Sequence, residues 1–393
     1  MALTEYYAPT HVYFGRGAEL EAGKILRSMS LNRVLVHFGS SSARKSGLLE
    51  RVERTLIDNG IEFIELGGVV PNPRLSLVRE GIRICRENRL SAVLAIGGGS
   101  VIDSAKAIGY GVFNDGDVWD FYSKKRTPEG CLPIAAVLTL SATGSEMSDS
   151  SVITNEDGNL KRGCNTDYSR PVFSLLNPEL TYSVSPYQTS CGTADIMMHT
   201  LERFFHRGFT LPITDDLSAS LLRDVMANGR KALETPDDYS ARAALMWAGS
   251  LSHNGLMNAG NDARGDWACH QLEHELSGMF DVAHGAGLTA IWGSWARYVM
   301  DAGYGRFITL GEKVFGHAPS GNDEDDALKA IEAMEDFFRS INMPTSISGL
   351  GISPSDDEID ELAEKCSFFG TRTVGNIKAL GKEDMKTIYL NAR

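Results

Sequence analysis

Along the first half of the chain, short apolar runs alternate with stretches whose apolar residues recur every three or four positions. Val34-Leu35-Val36 is a short apolar run that stops at Gly39-Ser40-Ser41-Ser42. A helical pattern follows through Leu48, Leu49, Val52 and Leu56, and Ile61 to Leu66 reads as a second strand. Leu75 to Asn88 reads as a helix, with Leu77, Val78, Ile82 and Ile84 apolar. Ala92-Val93-Leu94-Ala95-Ile96 is apolar at every position, the mark of a strand buried on both faces. It ends at Gly97-Gly98-Gly99-Ser100, where another helix opens, and Pro133 to Leu140 is a further run. Strand–helix alternation of this kind predicts a parallel sheet wrapped by helices. After about residue 185 the period changes, and helices are predicted over 188–206, 213–233, 239–258, 264–278, 285–301 and 304–316. Acidic clusters at 323–326 and 356–361 sit just ahead of apolar helical patterns, where carboxylates favour a helix start. The expected division is therefore an α/β domain over 1–185 and an all-helical domain over 186–393.

Composition narrows the class. The chain has 393 residues, 42% hydrophobic and 23% charged, with 40 Gly and 13 Pro, so it has ample material for a core and no disorder signature. A net charge of -13 repels phosphate backbones and argues against nucleic acid as the main partner. It leaves room for a small anionic cofactor. Six scattered cysteines without a CxxC pair suit a reduced, cytoplasmic protein. No signal peptide is apparent, and no run approaches the roughly 20 apolar residues that cross a bilayer.

Three features carry candidate chemistry. Gly97-Gly98-Gly99-Ser100, between a buried strand and a helix, offers free amides and a partial positive charge to a pyrophosphate. It matches neither GxGxxG nor GxxxxGK[ST], and alone it could be a tight turn. Asp103 and Lys106 follow one turn apart on that helix, as an ordinary surface pair would. Second, no Asp or Glu occurs between Arg33 and Leu49, whereas Ser40, Ser41, Ser42, Arg44 and Lys45 do. NAD sites usually place an acid there for the ribose 2′-OH, so a dinucleotide site here favours NADP(H). Otherwise these residues simply open a solvent-exposed helix.

The third feature is a histidine and aspartate constellation. Asp195 and His199 stand i,i+4 on one predicted helix, His270 and His274 do so on another, and His284 follows ten residues later. Each pair alone could be a local hydrogen bond. Together they suit a divalent ion. His270-Gln271-Leu272-Glu273-His274 also reads as HxxEH, the inverted zinc-peptidase signature, which makes His274 a ligand and Glu273 the base. That reading needs a downstream carboxylate such as Glu332, Glu335 or Glu358, and it leaves the glycine loop and the Asp195/His199 pair without a role.

Over nearly its whole length the chain resembles the iron-containing (group III) alcohol dehydrogenase family. The resemblance rests on YFGRG at 13–17, GGGSVIDSAKAIG at 97–109, LSATGSE at 140–146, GTADIMMHTLE at 192–202 and GDWACHQLEHELSG…AHGAG at 265–287. The butanol dehydrogenase and broad-range aldehyde reductase branch is nearest in GDWA…HELSG and FGSSSARKSG. One departure is Ile291-Trp292-Gly293, where the family often has proline.

The resemblance implies a dinucleotide-binding α/β domain followed by a helical metal-binding domain, the dehydroquinate synthase-like fold. It implies a divalent metal, Fe(II) ahead of Zn(II), on Asp195, His199, His270 and His284, and makes His274 a proton relay near the nicotinamide. It further implies Gly39, Ser40 and Ser42 at the adenosine end and Gly97, Gly98, Gly99 and Ser100 on the pyrophosphate. Asp103, Thr139, Thr143 and Lys161 fall towards the ribose and nicotinamide, with Asp103 also a candidate for catalysis. The implied activity is hydride exchange between NADP(H) and a small to medium-chain alcohol or aldehyde, by a homodimer. Glycerol oxidation, a cyclising lyase or a scaffold without activity are the alternatives. Trp267, Trp292, Trp295 and Phe280 either line an apolar substrate pocket or fill the core.

Overall fold

A computed structural model of the chain describes residues 3–39 and 42–393. The chain divides into two compact units, Ala8–Val184 and Ser185–Arg393, the latter joined by the N-terminal residues through Tyr7. Strands β1 (His11–Phe14), β2 (Arg33–Gly39), β3 (Glu62–Val69), β4 (Ala92–Gly97), β5 (Ile134–Leu138), β6 (Ser150–Asn155), β7 (Leu160–Asn165) and β8 (Phe173–Leu176) all lie in the first unit. Six form one sheet in the order β1-β8-β5-β4-β2-β3, every neighbouring pair parallel. The apolar run predicted as a doubly covered strand is β4, buried at each position. Val34, Val36, Phe38, Leu94 and Ile96 face one helical layer, which includes Leu48, Leu49, Val52 and Leu56. The helices Leu75–Asn88 and Gly99–Phe113 pack together and against the strands from the other side. β6 and β7 form a separate antiparallel hairpin that the apolar pattern did not predict.

The second unit is helical. Its helices run over Pro186–Phe204, Pro212–Glu234, Tyr239–His253, Ala268–Phe280, His284–Val299, Tyr304–Leu310, Asp323–Ser340, Asp356–Cys366 and Lys382–Ala392. The acidic clusters do start helices. Asn322 accepts from the Asp325 amide, and Ser355 and Glu358 form a capping box. The helix expected from 264 begins only at Ala268, because Gly265 and Trp267 adopt φ of 105° and 67°. Trp292 and Trp295 are core residues, packed edge-on against Phe338 and Phe205. They fill the core.

Several polar groups are buried inside the first unit. His37 on β2 is fully buried, with Nδ1 2.8 Å from the Leu66 carbonyl and Nε2 2.9 Å from Ser104 Oγ. A carbonyl only accepts, so Nδ1 carries the proton and Nε2 accepts from Ser104. Burial lowers the imidazole pKa from 6.5 to about 4, partly opposed by the Leu66 bond. The unfolded chain therefore takes up a proton below pH 6.5 that the folded chain refuses until about pH 4. Stability from this group is intact above pH 6.5 and declines as pH falls through that window, by about 3 kcal/mol in all. Urea unfolding of wild type and His37→Gln at pH 7 and pH 4.5 checks this. The wild type is expected to lose about 2 to 3 kcal/mol more than the variant between the two pH values; an equal loss would dismiss His37 as the cause.

Candidate active site

The Pro186–Phe204 helix starts with Ser185 accepting from the Gln188 amide and Pro186 in its first turn, so its register is set at the cap. That register brings Asp195 and His199 inward onto one face, each 2% exposed. Asp195 Oδ1 lies 3.2 Å from His199 Nδ1, 3.7 Å from His284 Nε2 and 4.0 Å from His270 Nε2. Candidate ligand atoms of Asp195, His199 and His270 all fall within 4.8 Å of one another, as do those of Glu273, His274 and His284. His199 Nδ1 and His270 Nε2 are buried and make no hydrogen bond of acceptable geometry. Burial lowers the His199 pKa well below 6.5, with His253, His270, Arg203 and His284 adding to it. A neutral imidazole with its lone pair aimed at neighbouring donors is what a divalent ion requires.

Behind these atoms stand two carboxylates: Glu202, which the sequence pattern does not single out, and Glu273, which it offers only as a peptidase base. Glu202 Oε1 lies 2.9 Å from His270 Nδ1 and accepts from the His270 amide at 2.9 Å. Glu273, fully buried, bonds His284 Nδ1 through one oxygen and Ser277 Oγ through the other. Glu273 is thus engaged as a support for His284, which removes the base that the HxxEH peptidase reading needs. Asp266 accepts from the amides of Ala268, Asn376 and Ile377, tying the start of the Ala268–Phe280 helix to a distant loop. Burial and the Glu202 charge raise its pKa to about 7, against the pull of those three amides. His253 stacks on His199 at 4.1 Å, and Arg203 lies over the Trp267 ring, which meets His199 and His270 edge-on.

Two glycines let backbones close on this helix. A Cβ on Gly285 would lie 2.1 Å from the Cys191 carbonyl oxygen, and one on Gly265 would lie 2.4 Å from that of Glu202. His284 reaches Asp195, and the segment before His270 reaches Glu202, because these positions carry no side chain.

Of the other predicted residues, Gly39, Gly97 to Ser100 and Thr139 lie at the carboxyl ends of parallel strands, where open α/β sheets bind ligands. Gly39 and Gly97 end the adjacent strands β2 and β4, and the Thr139 amide donates to the Gly97 carbonyl. Gly98 caps the Gly99–Phe113 helix without a side-chain bond to its first amides. A Cβ on Gly99 would lie 2.3 Å from Thr143 Oγ1, so the turn and the 140–145 segment pack without space between them. Asp103 is not a surface residue paired with Lys106. It accepts from Ser145 Oγ at 2.6 Å and the Val152 amide at 3.0 Å, and burial raises its pKa against Lys106, Ser145 and Val152. Lys106 is fully buried, donating to the carbonyls of Ser148 and Ser150 at 2.9 and 2.7 Å; burial lowers its pKa to about 8. Lys161 is buried on β7, paired in register with Thr154. Ser42 opens a short helix in which Arg44 pairs with Glu65, and with Glu50 at 3.9 Å. Ser40 lies outside the described residues.

Comparison with known proteins gives this pairing a family. The model of the iron-containing alcohol dehydrogenase family matches residues 9–178, and that of its C-terminal region matches 189–393. The chain belongs to the iron-containing alcohol dehydrogenases. It is therefore an NAD(P)-dependent oxidoreductase. It is 40% identical to an NADH-dependent butanol dehydrogenase of Clostridium acetobutylicum, 98% of each chain being covered. An NADPH-dependent aldehyde reductase of Escherichia coli is 31% identical, again over 98% of each. The crystal structure of an NADH-dependent butanol dehydrogenase from Thermotoga maritima superposes with a TM-score of 0.96 at 35% identity, covering 100% of this chain and 99% of that one. No helix of the described residues is long and apolar enough to cross a membrane.

The glycine contact tests whether backbone approach assembles the cluster. Gly285→Ala must push apart the Pro186–Phe204 and His284–Val299 helices, and is expected to cost about 1 to 3 kcal/mol and lower zinc retention. Gly305→Ala, where an added Cβ meets nothing within 4 Å, is the control. It is expected to leave metal content unchanged and melting unchanged or slightly raised. Equal metal content in both variants would show that the close crossing does not hold the cluster.

Proposed function

We propose that this oxidoreductase interconverts small to medium-chain alcohols and aldehydes, of which butanol and butanal are the reference pair. A divalent metal, Fe(II) ahead of Zn(II), is assigned to Asp195, His199, His270 and His284. The observation that carries the reading is the convergence of three imidazoles on Asp195 Oδ1 at 3.2 to 4.0 Å. When bound, the ion polarises a carbonyl or acidifies an alcohol, and the nicotinamide gives or takes the hydride. The chain's own part is to hold and orient. Backbone amides from Gly97 to Ser100 and the helix behind them receive the pyrophosphate. Asp103 fixes Ser145 and the Val152 amide, and with them the wall of that pocket. His274 stands one turn beyond His270 on the same helix face, its ring 5.8 Å from that of His284. Its imidazole is the group assigned to pass a proton to or from the substrate oxygen.

Two cofactor readings have separate support. The serines, Arg44 and Lys45 after β2 favour NADP(H). Arg44 is engaged by Glu65 and Glu50, which offsets its charge and favours NAD(H), the cofactor named for the butanol dehydrogenases above.

An aldehyde panel assayed with NADH and NADPH side by side, with metal quantified in the same preparation, tests the function. Butanal reduction abolished by a chelator and restored by ferrous or zinc salt is expected; no turnover with either dinucleotide would refute the reading. His274→Ala is expected to retain its metal and slow turnover by roughly 10²- to 10⁴-fold. His270→Ala is expected to lose the metal. Loss of metal from the His274 variant would show that the two roles are assigned wrongly.

A further inference from the structure

The ligand assignment leaves two buried carboxylates without a task. Glu202 is 2% exposed and Glu273 fully buried, and carboxylates at such positions are rare unless paired. Each meets the Nδ1 of one assigned ligand, Glu202 at His270 and Glu273 at His284. In both rings Nε2 is the atom turned to Asp195. A carboxylate only accepts, so the proton of each neutral ring is drawn to Nδ1 and the lone pair is left on Nε2. Glu202 holds ring and backbone of His270 at once, since the same oxygen accepts from the His270 amide. Glu273 is braced by Ser277 and sits where Gly287 has no side chain; a Cβ there would lie 2.9 Å from Glu273 Cγ.

We infer that Glu202 and Glu273 are positioning residues that lock His270 and His284 in the tautomer whose Nε2 faces the metal, and that their charge strengthens the hold on a dication. The inference rests on the metal assignment proposed above. With Asp195, three carboxylates surround the position, and the site is more negative than one carboxylate and three imidazoles would make it.

The test uses the full-length protein freed of metal, with Zn(II) and Co(II) as probes. Nitrogen NMR of the metal-free wild type is expected to show His270 and His284 protonated at Nδ1; protonation at Nε2 in both would overturn the inference. Glu202→Ala and Glu273→Ala are each expected to weaken Zn(II) about 10- to 100-fold. Glu202→Gln keeps an oxygen that accepts from both donors of His270 and loses only the charge. It is expected to retain the Nδ1–H tautomer, to preserve the melting temperature of the metal-free protein, and to weaken Zn(II) by about tenfold, less than alanine does. Wild-type binding with unchanged affinity in the glutamine and alanine variants would overturn the inference alone. A wild type that takes up neither metal would overturn the ligand assignment, and this inference with it.

Discussion

The helical unit is organised around how closely other backbones approach the Pro186–Phe204 helix. That helix buries nearly all of its residues, including Thr189, Thr193, Asp195, His199, Thr200, Glu202 and Arg203. Polar groups in such a place must be satisfied from neighbours a few ångströms away. Thr193 and Thr200 solve this internally by donating to carbonyls one turn back. Glu202 is served from outside, by the amide and ring of His270 on the helix that follows Gly265, and Asp195 faces His284 on the helix that includes Gly285. A methyl group at either glycine would separate the backbones and draw buried polar groups away from the neighbours that satisfy them.

The α/β unit shows how far alternation alone carries a fold. The Leu75–Asn88 helix has the predicted limits, and β2, β3, β4 and β5 fall on the predicted apolar runs; β4 and β5 are apolar because they are buried at every position, whereas the edge strand β3 keeps Glu62 and Glu65 exposed. β1 and β8 escaped because each has only four residues, too few for a period to show. The β6–β7 hairpin escaped for another reason. Its strand Leu160-Lys161-Arg162-Gly163-Cys164-Asn165 reads as surface, yet Lys161 and Arg162 are buried. Lys106 likewise looked like half of a solvated pair and is in fact the bolt between its helix and the 148–150 segment. Burial of a lysine depends on acceptors distant in sequence, and nothing local announces it.

The site divides along the same line. Residues whose chemistry declares itself at helical spacing, Asp195 with His199 and His270 with His274, were legible one helix at a time. That they meet was legible only through family resemblance. Glu202 was invisible, and Glu273 stood out only as the base of HxxEH, because glutamate in a helix is ordinarily a surface residue. A signal did exist: Glu202 stands three residues after His199 and Glu273 three after His270, so each shares a face with a candidate ligand. HxxEH shows how such a signal misleads. Its spacing is compatible with two histidine ligands and a base, and only the position of His284 makes Glu273 a support instead. Trp267 was read as pocket or core, and is neither alone. Its φ of 67° is unusual for a bulky residue, and it is held under Arg203 and against His199 and His270.

These features bear on one question, why the unit tolerates so much buried charge. Asp195, Glu202 and Glu273 are three carboxylates among imidazoles kept from solvent, and Arg203 brings one positive charge through the His199 carbonyl and the Trp267 face. Charges taken out of water cost several kcal/mol each unless opposite charge and hydrogen bonds compensate. Ser277, the His270 amide and the two Nδ1–H groups supply the bonds, and the proposed dication would supply the missing charge. Folding and metal affinity therefore draw on the same interactions. A substitution at Glu202 or Glu273 removes a buried charge and the acceptor of His270 or His284 Nδ1 at the same time.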